Sequence, residues 1–318
     1  MSNQDIQSQL IEPGKVVKNP SSSWRDYLEM TKPKVVAMLL LTSVIGMFLA
    51  TNPLINPWVP LDLLIITTVG IGFAAGGAAV INHVVDAKID AIMARTESRP
   101  IVTGKITPMK AILFAIVLSV SSMLMLGFLV NWLTAILTLA GLVGYAFVYT
   151  MYLKRATPQN IVIGGISGAI PPLLGWTAMT NSIDPGGLLL VLIIFTWTPP
   201  HFWALAIHRR DDYAKANIPM LPVTHGIEYT KTATLLYTFL LVVTTILPYL
   251  TKMSGLIYLV TALILGAIFI RHSWELKFHP KANSPMKTFG FSILYLMLLF
   301  IGLLVDHYLF YSPLVNMN

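Results

Sequence analysis

Nine runs of about twenty mostly apolar residues leave this chain little choice of fold: 33–51, 62–85, 109–130, 132–152, 160–179, 187–207, 231–250, 254–272 and 288–311. A helix needs roughly 20 such residues to cross the hydrocarbon core of a bilayer. The predicted fold is an all-α membrane protein, with nine transmembrane helices in a bundle around a central cavity. Composition agrees: 11% of the residues are charged, against about 25% in soluble domains, and the mean hydropathy is +0.72. The chain has no cysteine, which excludes a disulfide framework, a thiol nucleophile and covalently attached c-type haem. Residues 1–30 are polar without an apolar core of the signal-peptide kind. They are expected to be a disordered cytoplasmic tail, with a single membrane domain over 31–312.

The net charge of +7 has an explanation that does not involve nucleic acid. With the N-terminus assigned to the cytoplasm, Lys252 alone of the 21 Lys and Arg residues falls on the outer side. A bias of this strength is the positive-inside signal, and it favours nine spans over eight or ten. Two cytoplasmic segments, 86–108 and 208–230, are long and polar, and loops of this length are often functional. Offset by 122 residues they resemble each other: Asp90 meets Asp212, Pro100 meets Pro222, Gly104 meets Gly226, and Asp86 meets His208. The same offset carries Pro33 to Arg155 and Met109 to Lys231, where spans begin. The expected architecture is two four-helix repeats plus a ninth helix. An even number of spans per repeat gives an axis along the membrane normal, with both loops at one end of the cavity.

The first loop carries the chemistry. Asn82, Asp86 and Asp90 are spaced four apart, so on a helix they share one face. Carboxylate, amide and water oxygens suit Mg²⁺, which keeps part of its shell for substrate phosphates. The ordinary alternative is a solvated polar helix end. Asp211 and Asp212 form a second acidic pair; adjacent carboxylates diverge on a helix, and the offset selects Asp212. His208 stands where the first half has Asp86, and neutral imidazole is a poor Mg²⁺ ligand. Arg95, Arg99, Lys154 and Arg155 are the candidates for holding diphosphate, because arginine grips phosphate oxygens bidentately. The positive-inside rule alone would also put basic residues there.

Other signals concern packing. Gly70, Gly72, Gly76, Gly77, Gly164 and Gly168 are small residues that permit close helix approach. Trp197, Pro199, Pro200, His201, Phe202 and Trp203 are expected to interrupt and kink the sixth span. That region is either a site for a flat aromatic substrate or a packed aromatic cluster. No histidine spacing announces haem.

These residues resemble the UbiA-type intramembrane prenyltransferase superfamily, which carries Asn-x-x-x-Asp-x-x-x-Asp after its second helix. Within it the chain is similar to the protohaem IX farnesyltransferases, or haem O synthases. The likeness rests on Asp90-x-x-Met93-x-Arg95-Thr96-x-x-Arg99-Pro100, Lys154-Arg155-x-Thr157-x-x-Asn160 and Gly164-Gly165-x-x-Gly168-Ala169-x-Pro171-Pro172. It continues through Thr198–Ala206, Asp211-Asp212-Tyr213 and Pro219–Pro222, and spans about residues 25–310. It implies farnesyl diphosphate and haem B as substrates, haem O as product and Mg²⁺ as cofactor. It also implies Asn82, Asp86 and Asp90 as the first metal–diphosphate group. The family's second acidic motif, Asp-x-x-x-Asp, is here His208 and Asp212, with Asp211 a substitute. His201 and His208 are the candidates for meeting haem. A bacterial inner-membrane location and a haem A synthase or terminal oxidase as partner follow from the same likeness. Rival readings are a polyprenyltransferase for a small aromatic acid or quinone precursor, a secondary transporter, and a non-catalytic haem carrier.

Overall fold

The computed structural model describes residues 22–309; residues 1–21 of the expected tail lie outside them. Among the described residues every regular element is a helix and no strand occurs. In chain order these are α1 (Trp24–Met30), α2 (Pro33–Leu49), α3 (Leu61–Val85), α4 (Ala87–Asp90), α5 (Pro108–Leu129) and α6 (Trp132–Val143). A π-helical stretch, Gly144–Leu153, continues α6 into α7 (Lys154–Ala156). Then come α8 (Asn160–Ala169), α9 (Pro171–Thr180), α10 (Pro185–His208), α11 (Arg210–Lys215), α12 (Leu221–Thr224), α13 (Gly226–Leu250), α14 (Leu256–Phe278) and α15 (Ser284–Leu309).

Eight helices or continuous helix pairs are long and apolar enough to cross a membrane, and a ninth qualifies if α1 and α2 count as one bent span. The difference lies in α2. Its 17 residues rise about 25 Å, short of a hydrocarbon core of roughly 30 Å. It meets α1 at 55° through Lys32, whose φ of 53° is left-handed. Residues 24–30 of the segment expected as tail form α1. Ser23 caps α1 in a reciprocal capping box with Asp26, and Met30 is buried with Val80, Ile101, Ile106 and Ala111.

Lipid gives helices no hydrophobic reason to associate, so small residues and close packing hold the bundle. The tightest crossing is between α2 and α9. A Cβ added at Gly46 would lie 2.1 Å from the carbonyl oxygen of Pro172, and one at Gly175 would lie 1.9 Å from that of Ser43. Of the glycines singled out by sequence, Gly77 and Gly164 do sit against neighbours, while Gly168 has nothing within 4 Å. The C-terminal helices α10, α13, α14 and α15 enclose the largest apolar core, around Tyr258, Phe269, Tyr295 and Phe300.

Pro199 and Pro200 do not interrupt the sixth span. α10 runs from Pro185 to His208 with both prolines inside it. Packing against α13 and α15 sustains it, and Thr196 and Thr198 donate to carbonyls of the preceding turn. One buried carboxylate is purely architectural. Asp306 on α15 accepts from Ser254 Oγ at 2.9 Å, from the Tyr258 N–H at 3.2 Å and from the Gly255 N–H, capping α14 from a neighbouring helix. A lost cap typically costs about 0.5–2 kcal/mol. Asp306→Ala should accordingly lower the midpoint of thermal unfolding in a fixed detergent, with turnover by the surviving protein intact.

Candidate functional site

The 82–90 stretch keeps its helical spacing through a change of helix. The Asp86 N–H donates to the Asn82 carbonyl at 3.0 Å, and the Asp90 N–H to the Asp86 carbonyl at 2.8 Å. The three side chains are thus brought to one place at the end of α3, all nearly sealed: Asn82 is 4% exposed, Asp86 1% and Asp90 3%. Buried charges persist only when paired. Lys154 Nζ lies 2.6 Å from Asp86 Oδ2, and Arg99 is ion-paired to Asp90. Asn82 receives Lys32 Nζ at 2.5 Å and donates to Asp86 at 2.7 Å and to Thr150 at 3.3 Å. It therefore bridges Lys32 and Asp86. Asp86 Oδ1 is buried with no hydrogen-bond partner among the described residues.

The supporting residues are local. Thr96 Oγ1 donates to the Asp90 carbonyl at 3.0 Å and folds the loop so that Arg99 returns to the acid. Arg155 caps α3 through the Val85 carbonyl at 3.3 Å. The π-helical stretch places Tyr145 and Thr150 beside the set, with Lys32 Nζ 3.5 Å from the Tyr145 hydroxyl.

The two polar loops meet. Ile89 and Met93 of the first pack with Tyr213, Ala216, Ile218 and Met220 of the second, over Ile161 and Ala206. Burial pushes the Tyr213 phenol up, while the cations Arg95 and Arg209 draw it down; Arg95 itself is exposed. The second acids are less committed than the first. Asp212 is partly exposed and pairs with Arg209 at 3.5 Å, while Asp211 is 85% exposed beside Arg210 at 3.4 Å. His208 is exposed at the end of α10. Among the described residues no three carboxylate or imidazole groups gather closely enough to hold a metal by themselves. Two carboxylates with one unpartnered buried oxygen do fit a hard cation that takes the rest of its shell from phosphate and water.

Sequence reasoning missed Lys32 as a member of the site, although a signal was present: the 122-residue offset that aligns the loops also takes Lys32 to Lys154. It missed Tyr145 and Thr150 because nothing in an apolar run announces a π-helix. His201 lies within α10, seven residues before its end at His208. Its ring is stacked between Trp197, with centroids 4.2 Å apart, and Phe289 at 4.5 Å.

Apolar helices with a cation-laced acid set at one end define a multi-pass membrane protein with a built polar site. The chain belongs to the UbiA prenyltransferase family, which matches residues 39–310, and so is a prenyltransferase. It is 64% identical over 290 residues to the protoheme IX farnesyltransferase of Alcanivorax borkumensis, covering 91% of this chain and 95% of that one. The solved structure of a digeranylgeranylglyceryl phosphate synthase shares the fold with a TM-score of 0.75 at 20% identity, covering 89% of this chain and 98% of that one. A UbiA homolog from Archaeoglobus fulgidus bound to GPP and Mg²⁺ does so at 0.59 and 18%, covering 87% and 99%.

Proposed function

We propose that this prenyltransferase moves the farnesyl group of farnesyl diphosphate to a vinyl group of haem B, with addition of water, giving haem O. The observation that carries this reading is the 64% identity, over nearly the full length of both chains, to a protein named for that reaction. The buried Asn82–Asp86–Asp90 set, with cations on each acid, supports the diphosphate half of it.

Asp86 and Asp90, with Asn82 beside them and Asp212 across the loop junction, would hold Mg²⁺. Asp86 Oδ1, buried and unused by any described residue, would offer the ion a charged donor oxygen, and the homolog bound to GPP and Mg²⁺ supports the same choice of ion. Asp211, exposed on its own arginine, contributes least. Bound there, Mg²⁺ supplies Lewis-acid neutralisation of the leaving group, worth several kcal/mol. Lys32, Lys154, Arg99, Arg95 and Arg155 share the remaining diphosphate charge. The allylic C–O bond breaks with its electron pair leaving on diphosphate. The terminal vinyl carbon bonds to the farnesyl C1, water adds to the cation left beside the macrocycle, and one proton is released. Apolar helices around the chain keep water scarce until that last step. No residue needs to bond covalently to substrate.

The finer architecture belongs to this reading: nine spans around a central chamber, two repeats and a ninth helix, N-terminus and loops in the cytoplasm, in a bacterial inner membrane. The helix bounds support the repeat. Moved by 122, α3 becomes 183–207 against Pro185–His208, and α5 becomes 230–251 against Gly226–Leu250. A haem A synthase or a terminal oxidase would take the product. The test is an assay of purified protein with haem B and farnesyl diphosphate, read by mass. A farnesyl-plus-water adduct that disappears with EDTA and returns with Mg²⁺ is expected. An adduct on a small aromatic acid instead would overturn the acceptor, and one indifferent to EDTA would overturn the metal.

A further inference from the structure

One histidine is held as a ligand would be. Ser292 on α15 is fully buried. Its hydroxyl donates to the Phe289 carbonyl at 2.6 Å, and a carbonyl can only accept. The single hydroxyl proton is thereby used, so the contact of 2.6 Å between Ser292 Oγ and His201 Nδ1 has His201 as donor. In the neutral ring this fixes the Nδ1–H tautomer and leaves the lone pair on Nε2. Nε2 makes no hydrogen bond among the described residues, and it is not among the buried side-chain atoms sealed without a partner.

The ring cannot turn to hide that lone pair. Trp197 and Phe289 stack on its two faces at interplanar angles of 19° and 26°. Trp197 is itself tied down, its Nε1 donating to the Ser292 carbonyl at 2.8 Å. Ser292 therefore holds both α10 rings, one through its hydroxyl and one through its carbonyl. A fixed imidazole with Nδ1–H on an oxygen and Nε2 free is the arrangement that orients metal-binding histidines, and neutral histidine is a common haem ligand. His201 also lies seven residues before the end of α10 at His208, about 10 Å below the loop level along the helix axis.

We infer that His201 Nε2 ligates the iron of the haem acceptor, with Ser292 as the positioning residue that sets its tautomer. This rests on the haem reading above and specifies how that substrate is held. The iron does no redox work; the bond fixes where the macrocycle stands.

The test is spectroscopic and needs no turnover. Ferric haem B is titrated into the purified full-length chain and followed by absorption and electron paramagnetic resonance. Saturable binding with a histidine-ligated spectrum is expected. His201→Ala should lose that spectrum and weaken binding at least tenfold, and added imidazole should restore it. Ser292→Ala should keep the ligation but shift the iron–imidazole stretch of the ferrous complex, because the Nδ1–H loses its acceptor. His201→Gln, which keeps a polar group for Ser292, guards against a variant that fails to fold and should also lose the spectrum. An unchanged ligation spectrum in both His201 variants would overturn the inference and leave the haem reading standing. Ligation that moves to His208 would do the same. No saturable haem binding by the unaltered chain would overturn the haem reading itself.

Discussion

Asp86→Ala is expected to abolish prenyl transfer, by three orders of magnitude or more, in protein that still inserts and purifies. Asp86 is the carboxylate on which three partners converge: Asn82, Lys154 and, through Asn82, Lys32. It also carries the one oxygen of the set that is sealed from solvent with no hydrogen-bond partner among the described residues. Removing it takes away the proposed metal position, and a loss of several kcal/mol of leaving-group stabilisation corresponds to a factor of about ten for each 1.36 kcal/mol. It also strands Lys154, whose side chain is 17% exposed. Breaking a buried pair from one side costs about 3–5 kcal/mol. Two losses are thus combined in one variant, and Asp86→Asn separates them: the amide keeps a hydrogen-bond acceptor for Lys154 but cannot offer a charged oxygen. Turnover should be lost in both variants, while the thermal midpoint should fall further for alanine than for asparagine. Near-normal Mg²⁺-dependent turnover in Asp86→Asn would remove Asp86 from the chemistry.

The second large effect is structural. Gly175→Val is expected to lower the thermal midpoint sharply or prevent accumulation of folded protein. The added Cβ would stand 1.9 Å from a backbone carbonyl of α2, and backbone cannot swing aside as a side chain can. Overpacking a tight contact costs about 1–3 kcal/mol and occasionally more; here the two helices must separate along their whole crossing. Gly46→Ala strikes the same contact from the other side, at 2.1 Å, and should behave alike. Gly168→Ala, with open space around it, should be indistinguishable from the parent. Thermal scans of the three in one detergent decide the matter. Equal midpoints would mean that α2 and α9 are not held by this contact.

Much of this was legible beforehand, for definite reasons. The long apolar runs marked the helices to within a few residues, because a bilayer leaves the backbone few alternatives. The i, i+4 spacing of Asn82, Asp86 and Asp90 marked a shared face, because such residues are neighbours on a helix. What could not be read needed partners distant in sequence. The 122-residue offset links Lys32 to Lys154, but nothing local to Lys32, which precedes α2, says that it reaches Asn82, fifty residues on. The prolines of α10 looked like an interruption, because local preference says so and tertiary packing overrules it. Gly168 looked like a contact glycine and Gly175 went unremarked, because spacing identifies a small face without saying what lies opposite. The 122-residue offset picked Asp212 over Asp211, and exposure separates them too, at 28% against 85%, although each pairs with an arginine.

The π-helical stretch before Lys154 bears on how this chain can change over time. A π-turn holds one residue more than an α-turn, and each residue of an α-helix turns about 100°. Deleting a single residue from Gly144–Leu153 could leave a perfectly regular helix, favourable by every local measure, and still swing Lys154 off Asp86. Insertions and deletions in this span are therefore constrained by phase as well as by length. A homologue that regularised the helix would need a new cation from elsewhere to meet the buried acid.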